Sequence, residues 1–521
     1  MGEEGVVAFV TNNGFLDGIA FDGMRKHLYQ DFNRIYILDL KGNVRKDSMR
    51  EGIPIGEKHT VFGLAAMVGI AVTFFVKGGD YHDHKIYYSG TDWKATRQEK
   101  FNLVEGAISI NGIEWKEITP DKKHTWLTEG LHAEFDTFIP IGTKEAKRKK
   151  SDATGTIFKT YSLGISTNRD AWVCHFNQNM LTNNMNEMIE TYNNQVFKWE
   201  RELNRNANVD DFVISDDTKI KWSSTLKRHM VSGHIAEFAE SKIRQTIYRP
   251  FTKTKLFFDR ILIDRPSLSP FIFPTPETES ENRVICVSGF GSNKPFQTLM
   301  TSTLPCLDFL EKTQCFPFYT YDEDGTNRQE NITDWALAEF RTHYGDNTIT
   351  KWDIFHYTYG LLHHPVYHEK YAMNLKRDLP HIPFTEDFWG FDKAGKALAD
   401  LHVNYESVPK YDKLRKVETL GIQVNWDVEK MKLSKDKTQL KYNDFLTLDG
   451  IPLETYDYKL GTRSALEWVV DQYRVKTDKR SGIVNDPNRA DQPQYIVDLI
   501  GRVITVSLKT VEIVKNLPAS M

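Results

Sequence analysis

Residues 5–40 read GVVAFVTNNGFLDGIAFDGMRKHLYQDFNRIYILDL, and this stretch decides the fold class. The apolar run at residues 5–10 predicts a buried strand, the recurrence of apolar residues every four positions predicts a helix over residues 23–32, and residues 34–40 predict a second strand. Two apolar strands joined by a helix are typical of a mostly parallel sheet covered by helices. A unit that starts at residue 5 cannot bury both faces of its sheet alone. We therefore expect either a small sheet or the end of a larger domain.

The composition is that of an ordinary globular protein, with 40% hydrophobic and 26% charged residues among 521. The net charge of -4 neither indicates nor excludes a nucleic-acid partner, because phosphates are attracted by local basic patches. The four cysteines show no CxxC spacing, so we expect no metal site. The first residues are acidic where a secretion signal is basic, and the apolar run at residues 61–76 is too short to span a membrane. These features predict a cytoplasmic protein without a membrane segment.

Changes of pattern along the chain predict four parts. Residues 1–150 continue the pattern of apolar strands and helices, and residues 151–330 contain many short β segments, prolines and aromatic residues. Residues 331–400 are mainly helical in pattern. Residues 401–521 combine short strands with helices, one of them predicted over residues 465–473. We see no internal repeat and no low-complexity segment.

Six segments of the chain resemble the C-terminal part of the Type ISP restriction–modification enzymes. The resemblance runs nearly end to end, and the segments occur in the order of the family. Besides residues 5–40, the most specific stretches are YRPF at residues 248–251 with residues 256–260, TQCFPFY at residues 313–319, YTYGLLHHPVYHEKYAMNLKRDLPHIP at residues 357–383, GTRSALEWVVDQYRVKTDKRSGIVNDPN at residues 461–488, and residues 495–506. In that family, nuclease, helicase, adenine methyltransferase and target-recognition domains lie in one polypeptide.

The resemblance implies an α/β N-terminal remnant of a Rossmann-like methyltransferase sheet over residues 1–150, followed by mixed α+β target-recognition domains. It makes residues 151–330 the first part of the target-recognition region, residues 331–400 a helical segment and residues 401–521 a C-terminal specificity subdomain. The family's catalytic Pro-Pro turn lies upstream of the segment that resembles residues 5–40, and this chain contains no Pro-Pro dipeptide. We therefore expect no catalytic residue and no cofactor site in this chain, with S-adenosylmethionine serving only the complete enzyme.

One aromatic residue resembles the residue that related amino-methyltransferases stack on the extruded adenine. Phe62 precedes the apolar segment at residues 67–76, as that aromatic residue does in the family. An aromatic face restores part of the stacking energy that a base loses on leaving the duplex. The alternative is that Phe62 packs in the core beside the following strand. The sequence leaves both interpretations open.

The best candidates for contact with DNA lie in residues 463–480. Basic side chains alternate there with aromatic and hydroxyl residues, and the candidates are Arg474, Lys476, Lys479 and Arg480. Arginine and lysine bind phosphates, and arginine also binds guanine through two hydrogen bonds. The segment therefore predicts a surface that contacts a duplex.

A structural loop is the alternative for the same segment, because its cations could pair with Asp471, Asp478 and Asp486. Two further basic residues are weaker candidates for DNA contact. Lys294 lies in a glycine-flanked turn, and Arg249 lies beside a proline, where a packed structural arginine fits equally well.

Three functions remain open at this stage. The first is a module that recognises a sequence of double-stranded DNA for methylation and cleavage performed elsewhere. The second is an adenine-specific DNA methyltransferase completed in trans by an upstream polypeptide that carries the methyltransferase, helicase and nuclease parts. The third is a non-catalytic interaction protein or a fragment. The first predicts binding to duplex DNA that weakens steeply with salt.

Overall fold

The computed structural model describes residues 4–44, 49–50, 53–78, 81–149, 155–202, 208–292, 294–419 and 424–521. The chain divides into two units, Met1–Leu131 and His132–Met521, which we call the N-terminal unit and the C-terminal unit. Both helices and strands occur in each, so the fold class is mixed α/β. Among the helices within these residues, none is long and apolar enough to cross a membrane.

A five-stranded sheet organises the N-terminal unit. Its strands in chain order are β1 Gly5–Asn12, β2 Arg34–Lys41, β3 Ile70–Lys77, β4 Lys85–Gly90 and β5 Lys116–Ile118. Across the sheet the order is β1, β3, β2, β4, β5. Strand β3 is antiparallel to both β1 and β2, β2 is parallel to β4, and β5 is antiparallel to β4. Strands β1 and β2 therefore run in the same direction, with the reversed strand β3 between them.

Two helices accompany this sheet, α1 Asp22–Asp31 and α2 Arg97–Ala107, together with a helical turn at Gly14–Asp17 and a short hairpin of Met49–Arg50 with Ile53–Pro54. The guanidinium of Arg25, in α1, is buried and donates hydrogen bonds to the carbonyls of Phe15 (2.8 Å) and Gly18 (2.7 Å). These bonds satisfy a buried charge and hold α1 against the turn that follows β1.

The structure confirms the helix predicted after β1 and the buried strand predicted at residues 34–40, but it corrects two other expectations. The strand predicted to be buried at residues 5–10 is exposed, and Val6, Phe9 and Val10 retain 65%, 55% and 61% of their accessible surface. The reason is that β1 is the last strand at its edge of the described sheet. The sheet is also not mostly parallel, because the reversed strand β3 enters between β1 and β2.

Three four-stranded sheets and four short strand pairs make up the β structure described in the C-terminal unit. The first sheet contains, in spatial order, Cys174–His175, β7 Thr252–Phe257, β6 Ile243–Arg249 and β8 Leu304–Pro305. The second contains Thr298–Thr301, Val284–Val287, Gln314–Pro317 and Ser162–Leu163, and the third Arg415–Glu418, Leu446–Asp449, Gln439–Lys441 and Lys432–Leu433. The pairs are Tyr319–Thr320 with Gln329–Glu330, His381–Ile382 with Ile139–Pro140, Lys459–Leu460 with Arg463–Ser464, and β9 Lys476–Thr477 with β10 Val484–Asn485.

Seven longer helices are described in the C-terminal unit. They are Gln178–Glu200, Ser224–Val231, Asp334–Tyr344, α3 Lys351–Leu361, α4 Phe388–Val403, α5 Ala465–Gln472 and α6 Tyr495–Lys515. Shorter helical segments are Lys144–Lys149, Asp170–Val173, Val209–Phe212, Ser269–Ile272, Pro276–Glu281, Pro365–Lys370 and Ala372–Leu375.

Two hydrophobic cores hold the C-terminal unit together. One joins side chains between positions 165 and 315 with side chains between positions 401 and 506. The other joins side chains from positions 135–161 and 285–318 with the helices between positions 332 and 399. Residues from all three predicted parts after position 150 thus share cores, while the four-part division itself stays a prediction.

Candidate nucleic-acid interface

A hairpin of β9 and β10 carries three of the predicted DNA-contacting residues directly after α5. The carboxylate of Asp478 shapes its turn, accepting hydrogen bonds from the backbone N–H groups of Ser481 (2.8 Å) and Arg480 (3.1 Å) and from the Ser481 hydroxyl (2.9 Å). The hydrogen bond from the Ser481 N–H is the main reason that the pKa of Asp478 is lowered. Lys479 and Arg480 are exposed, and Lys476 is half-buried at the start of the hairpin.

The sequence left open whether aspartates pair with these cations, and the structure gives a different answer for each aspartate. Asp471 pairs with two arginines, Arg463 at 2.8 Å and Arg474 at 3.4 Å. Asp478 binds the turn of the hairpin as described, and Asp486 accepts a hydrogen bond from the backbone N–H of residue 488 at 2.8 Å. Arg474 is therefore partly neutralised by Asp471, whereas the ion pairs described in the structure include neither Lys479 nor Arg480.

Three arginines act electrostatically on Lys476. The pKa of Lys476 is lowered, first by burial and then by the positive charges of Arg474, Arg249 and Arg463, while Asp471 acts in the opposite direction. We call Arg249, Arg463, Arg474 and Lys476 the basic cluster. An anionic partner such as a phosphate would stabilise the protonated form of Lys476, because a nearby negative charge offsets the effect of burial and of the neighbouring arginines.

Lys294 and Arg463, a residue of the basic cluster, both lie near the ring of Trp468. Its Nζ is 6.0 Å from the ring centroid of Trp468, and the guanidinium carbon of Arg463 is 5.0 Å from the same centroid. The hydroxyl of Ser292 accepts a hydrogen bond of 3.1 Å from the backbone N–H of Lys294 and donates one of 2.6 Å to the carboxylate of Glu311. The backbone of Lys294 is thus held in place by protein groups.

Arg249 is the last residue of β6 and is held by two contacts. Its guanidinium carbon lies 4.1 Å from the ring centroid of Tyr248, and its Nη1 donates a 2.7 Å hydrogen bond to the Tyr248 carbonyl. Tyr248 in turn donates to Asp170 at 2.9 Å. The side chain is half-buried, so it packs against Tyr248 and still reaches solvent. Its contact with DNA stays a prediction.

A cleft of about 370 Å³ brings two of the predicted residues together, Arg249 from β6 and Arg480 from the hairpin. Five further charged residues that the sequence did not single out also line it: Arg169 and Asp170, which are hydrogen-bonded within the wall, and Lys221, Asp217 and Asp308. Asp478, whose carboxylate binds the hairpin turn, lines it as well. The ion pairs described in the structure include none of Arg249, Arg480, Lys221, Asp217 and Asp308. We call this the mixed-charge cleft.

The buried side chain of Arg169 joins several segments in the wall of the cleft through hydrogen bonds. This arginine has 1% exposure and donates hydrogen bonds to the carbonyls of Leu262 (2.5 Å) and Lys221 (3.1 Å) and to the hydroxyl of Ser223 (2.7 Å). Burial lowers the pKa of Arg169 to about 10. Each nitrogen of its guanidinium donates to a protein group and the side chain is buried, so it supports the wall of the cleft.

In the N-terminal unit, Phe62 is exposed and does not belong to the core. It keeps 52% of its accessible surface, which overturns the core-packing alternative. The backbone just before it is fixed from α2: the Nζ of Lys100 donates to the carbonyl of His59 at 2.5 Å, and the Nε of Arg97 donates to the carbonyl of Thr60 at 3.0 Å. An aromatic side chain is thus presented to solvent on an anchored turn.

Sequence reasoning found the hairpin because four cations stand close together in the chain. It missed Asp217, Lys221 and Asp308, because each is a single charged residue on a separate segment and no local pattern marks it. That Arg249 lines one cleft with Arg480 was equally hidden, because the two residues lie on segments far apart in the chain.

One family model of known proteins matches most of the C-terminal unit. The family model described as the Type ISP C-terminal specificity domain matches residues 156–499. A nuclease-deletion mutant of the Type ISP restriction–modification enzyme LlaGI, solved in complex with a DNA substrate mimic, is similar over 100% of this chain and 47% of its own, with 33% identity and a TM-score of 0.85. The chain matches none of the curated proteins.

Two other solved structures are similar to the whole chain. The ATP-dependent Type ISP restriction–modification enzyme LlaBIII bound to DNA shares 29% identity, with a TM-score of 0.87, over 100% of this chain and 33% of its own. A DrdV–DNA complex shares 35% identity, with a TM-score of 0.85, over 100% of this chain and 51% of its own. The chain therefore spans between a third and about a half of the length of these structures.

Proposed function

Since this chain belongs to the Type ISP restriction–modification family through its C-terminal specificity domain, we propose that it recognises a sequence of double-stranded DNA for such an enzyme. The observation that carries the proposal is the basic cluster with the neighbouring Arg480. Arg249 comes from β6 and the other cations from residues 463–480; Arg463 and Arg474 share the carboxylate of Asp471, and Arg249 and Arg480 line the same cleft. Phosphate neutralisation is the main source of affinity for a duplex.

The solved relatives support DNA as the partner. The LlaGI structure contains a DNA substrate mimic, and the LlaBIII and DrdV structures contain DNA. A role as an interaction protein without DNA has no comparable support. The basic cluster would contact the sugar–phosphate backbone and fix the register of the duplex, while other side chains read the bases.

We further propose that the N-terminal unit is the end of the adenine methyltransferase domain of the complete enzyme. Strands β1 and β2 run in the same direction with α1 between them in the chain, as in a doubly wound sheet, and β3 is a reversed strand inserted between them. The proposed role of Phe62, stacking on an extruded adenine, agrees with its exposure on an anchored turn.

We assign no S-adenosylmethionine site to this chain. In the described turn after β1 the polar side chains are already paired: Asn13 donates to Asp39 at 2.9 Å, and Asn12 accepts from the backbone N–H of Gly14 at 2.8 Å. That turn offers no glycine-rich cradle to the cofactor. Methylation by a complete enzyme, with the missing strands supplied by an upstream polypeptide, remains the second proposed function.

The test is the salt dependence of binding to a random-sequence duplex. We expect log K to fall linearly with log salt, and we expect the double variant Lys479→Ala, Arg480→Ala to reduce that slope by about one for each lost phosphate contact. The matched control is Lys393→Ala, Lys396→Ala, which removes two exposed cations from α4. Binding that is absent or independent of salt in the unmodified chain would overturn the proposal. Equal effects of the two double variants would remove the hairpin from the interface.

A further inference from the structure

The mixed-charge cleft differs from the basic cluster in the sign of its charges and in its shape. Four cations and four carboxylates line one concave space of about 370 Å³, and three of these groups, on Arg169, Asp170 and Asp478, are already hydrogen-bonded in its wall or in the hairpin turn. The remaining groups are three cations, on Arg249, Arg480 and Lys221, and two carboxylates, on Asp217 and Asp308. A surface that only neutralises phosphates has no use for Asp217 and Asp308, because carboxylates repel phosphates. The space is as large as the smaller ligand pockets of proteins, which begin at about 300 Å³.

We propose that this cleft receives one unstacked nucleotide of the bound DNA, with its phosphate at the cations and a base bearing an exocyclic amine at the carboxylates. This inference rests on the proposed binding of duplex DNA. A stacked base pair presents only its edges to the grooves, and its neighbours prevent it from entering a concave space. Only a nucleotide that has left the stack can do so.

Asp308 and Arg249 are positioned by two adjacent strands of one sheet. Arg249 ends β6, and Asp308 follows β8, the strand that pairs with β6 in parallel through Ile247 and Pro305. The chain after β8 remains attached to β6 by a hydrogen bond of 3.1 Å from the Cys306 N–H to the Ile247 carbonyl. The two side chains therefore leave the same end of two adjacent strands, where positions are more exact than on a free loop.

Each part of a nucleotide finds a suitable partner in the cleft. Arg480, Lys221 and the remaining N–H groups of Arg249 are donors for phosphate oxygens. Ionised Asp217 and Asp308 only accept hydrogen bonds, so they favour the amines of adenine, cytosine and guanine over thymine, whose single donor is its ring N–H. The ion pairs described in the structure include none of Arg249, Arg480, Lys221, Asp217 and Asp308. The cations are therefore available to a phosphate and the carboxylates to an amine.

The experiment compares duplexes that differ by one extrahelical nucleotide. The full chain is titrated with a paired duplex and with the same duplex carrying a one-nucleotide adenine, cytosine or thymine bulge. We expect the adenine and cytosine bulges to bind at least about fivefold more tightly than the paired duplex and the thymine bulge to gain less. A fluorescent 2-aminopurine bulge should report the contact directly by a change in emission.

Variants of the carboxylates separate this inference from general DNA binding. Asp308→Asn and Asp217→Asn should lose the preference for amine-bearing bulges while keeping the affinity for the paired duplex, and Asp457→Asn, an exposed control outside the cleft, should keep both. If the chain binds the paired duplex but shows no preference for a bulge, the inference is wrong while the proposed function stands. Loss of binding to both duplexes in the two cleft variants would also contradict it, since that points to folding or to phosphate contact.

A further arm identifies the source of the nucleotide. We expect free dAMP at the concentration of the bulged duplex to leave binding of that duplex unchanged, because the neighbouring phosphates of a duplex add contacts at the basic cluster. Effective competition by free dAMP would show that the cleft serves a free nucleotide and would overturn its assignment to DNA.

Discussion

The Nζ of Lys100 donates a hydrogen bond of 2.5 Å to the backbone carbonyl of His59 from a position that is completely buried. Burial lowers the pKa of this lysine to about 8, with Asp39 acting in the opposite direction. The bond fixes the turn that precedes Phe62, so a buried charge in α2 supports an exposed aromatic residue.

The stability of the N-terminal unit should therefore rise between about pH 8 and pH 10.5. In this window the unfolded chain, in which Lys100 has its ordinary pKa of 10.5, binds more protons than the folded chain, and stability increases with pH wherever that holds. Lys100→Met should remove this contribution, and Lys26→Met, at an exposed position of α1, should not. Pulse proteolysis in urea at pH 7.5 and pH 10, read from peptides of the N-terminal unit, measures the difference. The same pH dependence in both variants would refute the prediction.

Asp471→Asn should tighten binding to a random-sequence duplex. The carboxylate neutralises Arg463 and Arg474 within the basic cluster, and its removal adds one net positive charge near the phosphates. One charge at contact distance in water corresponds to about 1 kcal/mol, or about fivefold in affinity at low salt. Glu339→Gln makes the same change of charge at an exposed position outside the cluster and serves as the control. Weaker binding by Asp471→Asn would show that the ion pairs hold the interface in shape.

Phe62→Ala should leave the stability of the chain nearly unchanged, because its side chain is 52% exposed. In an enzyme reconstituted with the upstream part, the same substitution should impair methylation more than it impairs DNA binding, since the lost face is the one that stacks on the extruded base. Leu64→Ala removes another exposed side chain from the same turn and is the matched control. Parallel losses of methylation and binding would indicate a folding defect instead.

Gly395→Ala should destabilise the C-terminal unit. Helices α3 and α4 cross at Gly360 and Gly395, and a Cβ at position 395 would lie 1.8 Å from the carbonyl oxygen of His356 and 2.8 Å from the N of Gly360. Backbone atoms cannot move as a flexible side chain does, so we expect a loss of about 1–3 kcal/mol or more in urea unfolding. Gly106→Ala, at a helical position with open space, should instead be neutral or slightly stabilising. An unchanged midpoint for Gly395→Ala would contradict the close crossing.

Local pattern was sufficient for the elements whose own side chains define them. The helix predicted at residues 465–473 is α5, and the strand predicted at residues 34–40 is β2, because in both cases the periodic apolar residues face a core. The same reasoning failed for β1. Its apolar residues indicate a strand, but burial depends on which strands lie beside it, and the sequence of β1 contains no information about the position of β3.

The sequence by itself determined the family resemblance, the mixed α/β class and the concentration of cations before Arg480. Only the tertiary structure decided that Asp471 neutralises two arginines and that Arg249, Asp217 and Asp308 share a cleft with Arg480. The physical reason is that periodicity and spacing report on neighbours within one segment. The electrostatic environment of a side chain depends on charges a few ångströms away, whatever their separation along the chain.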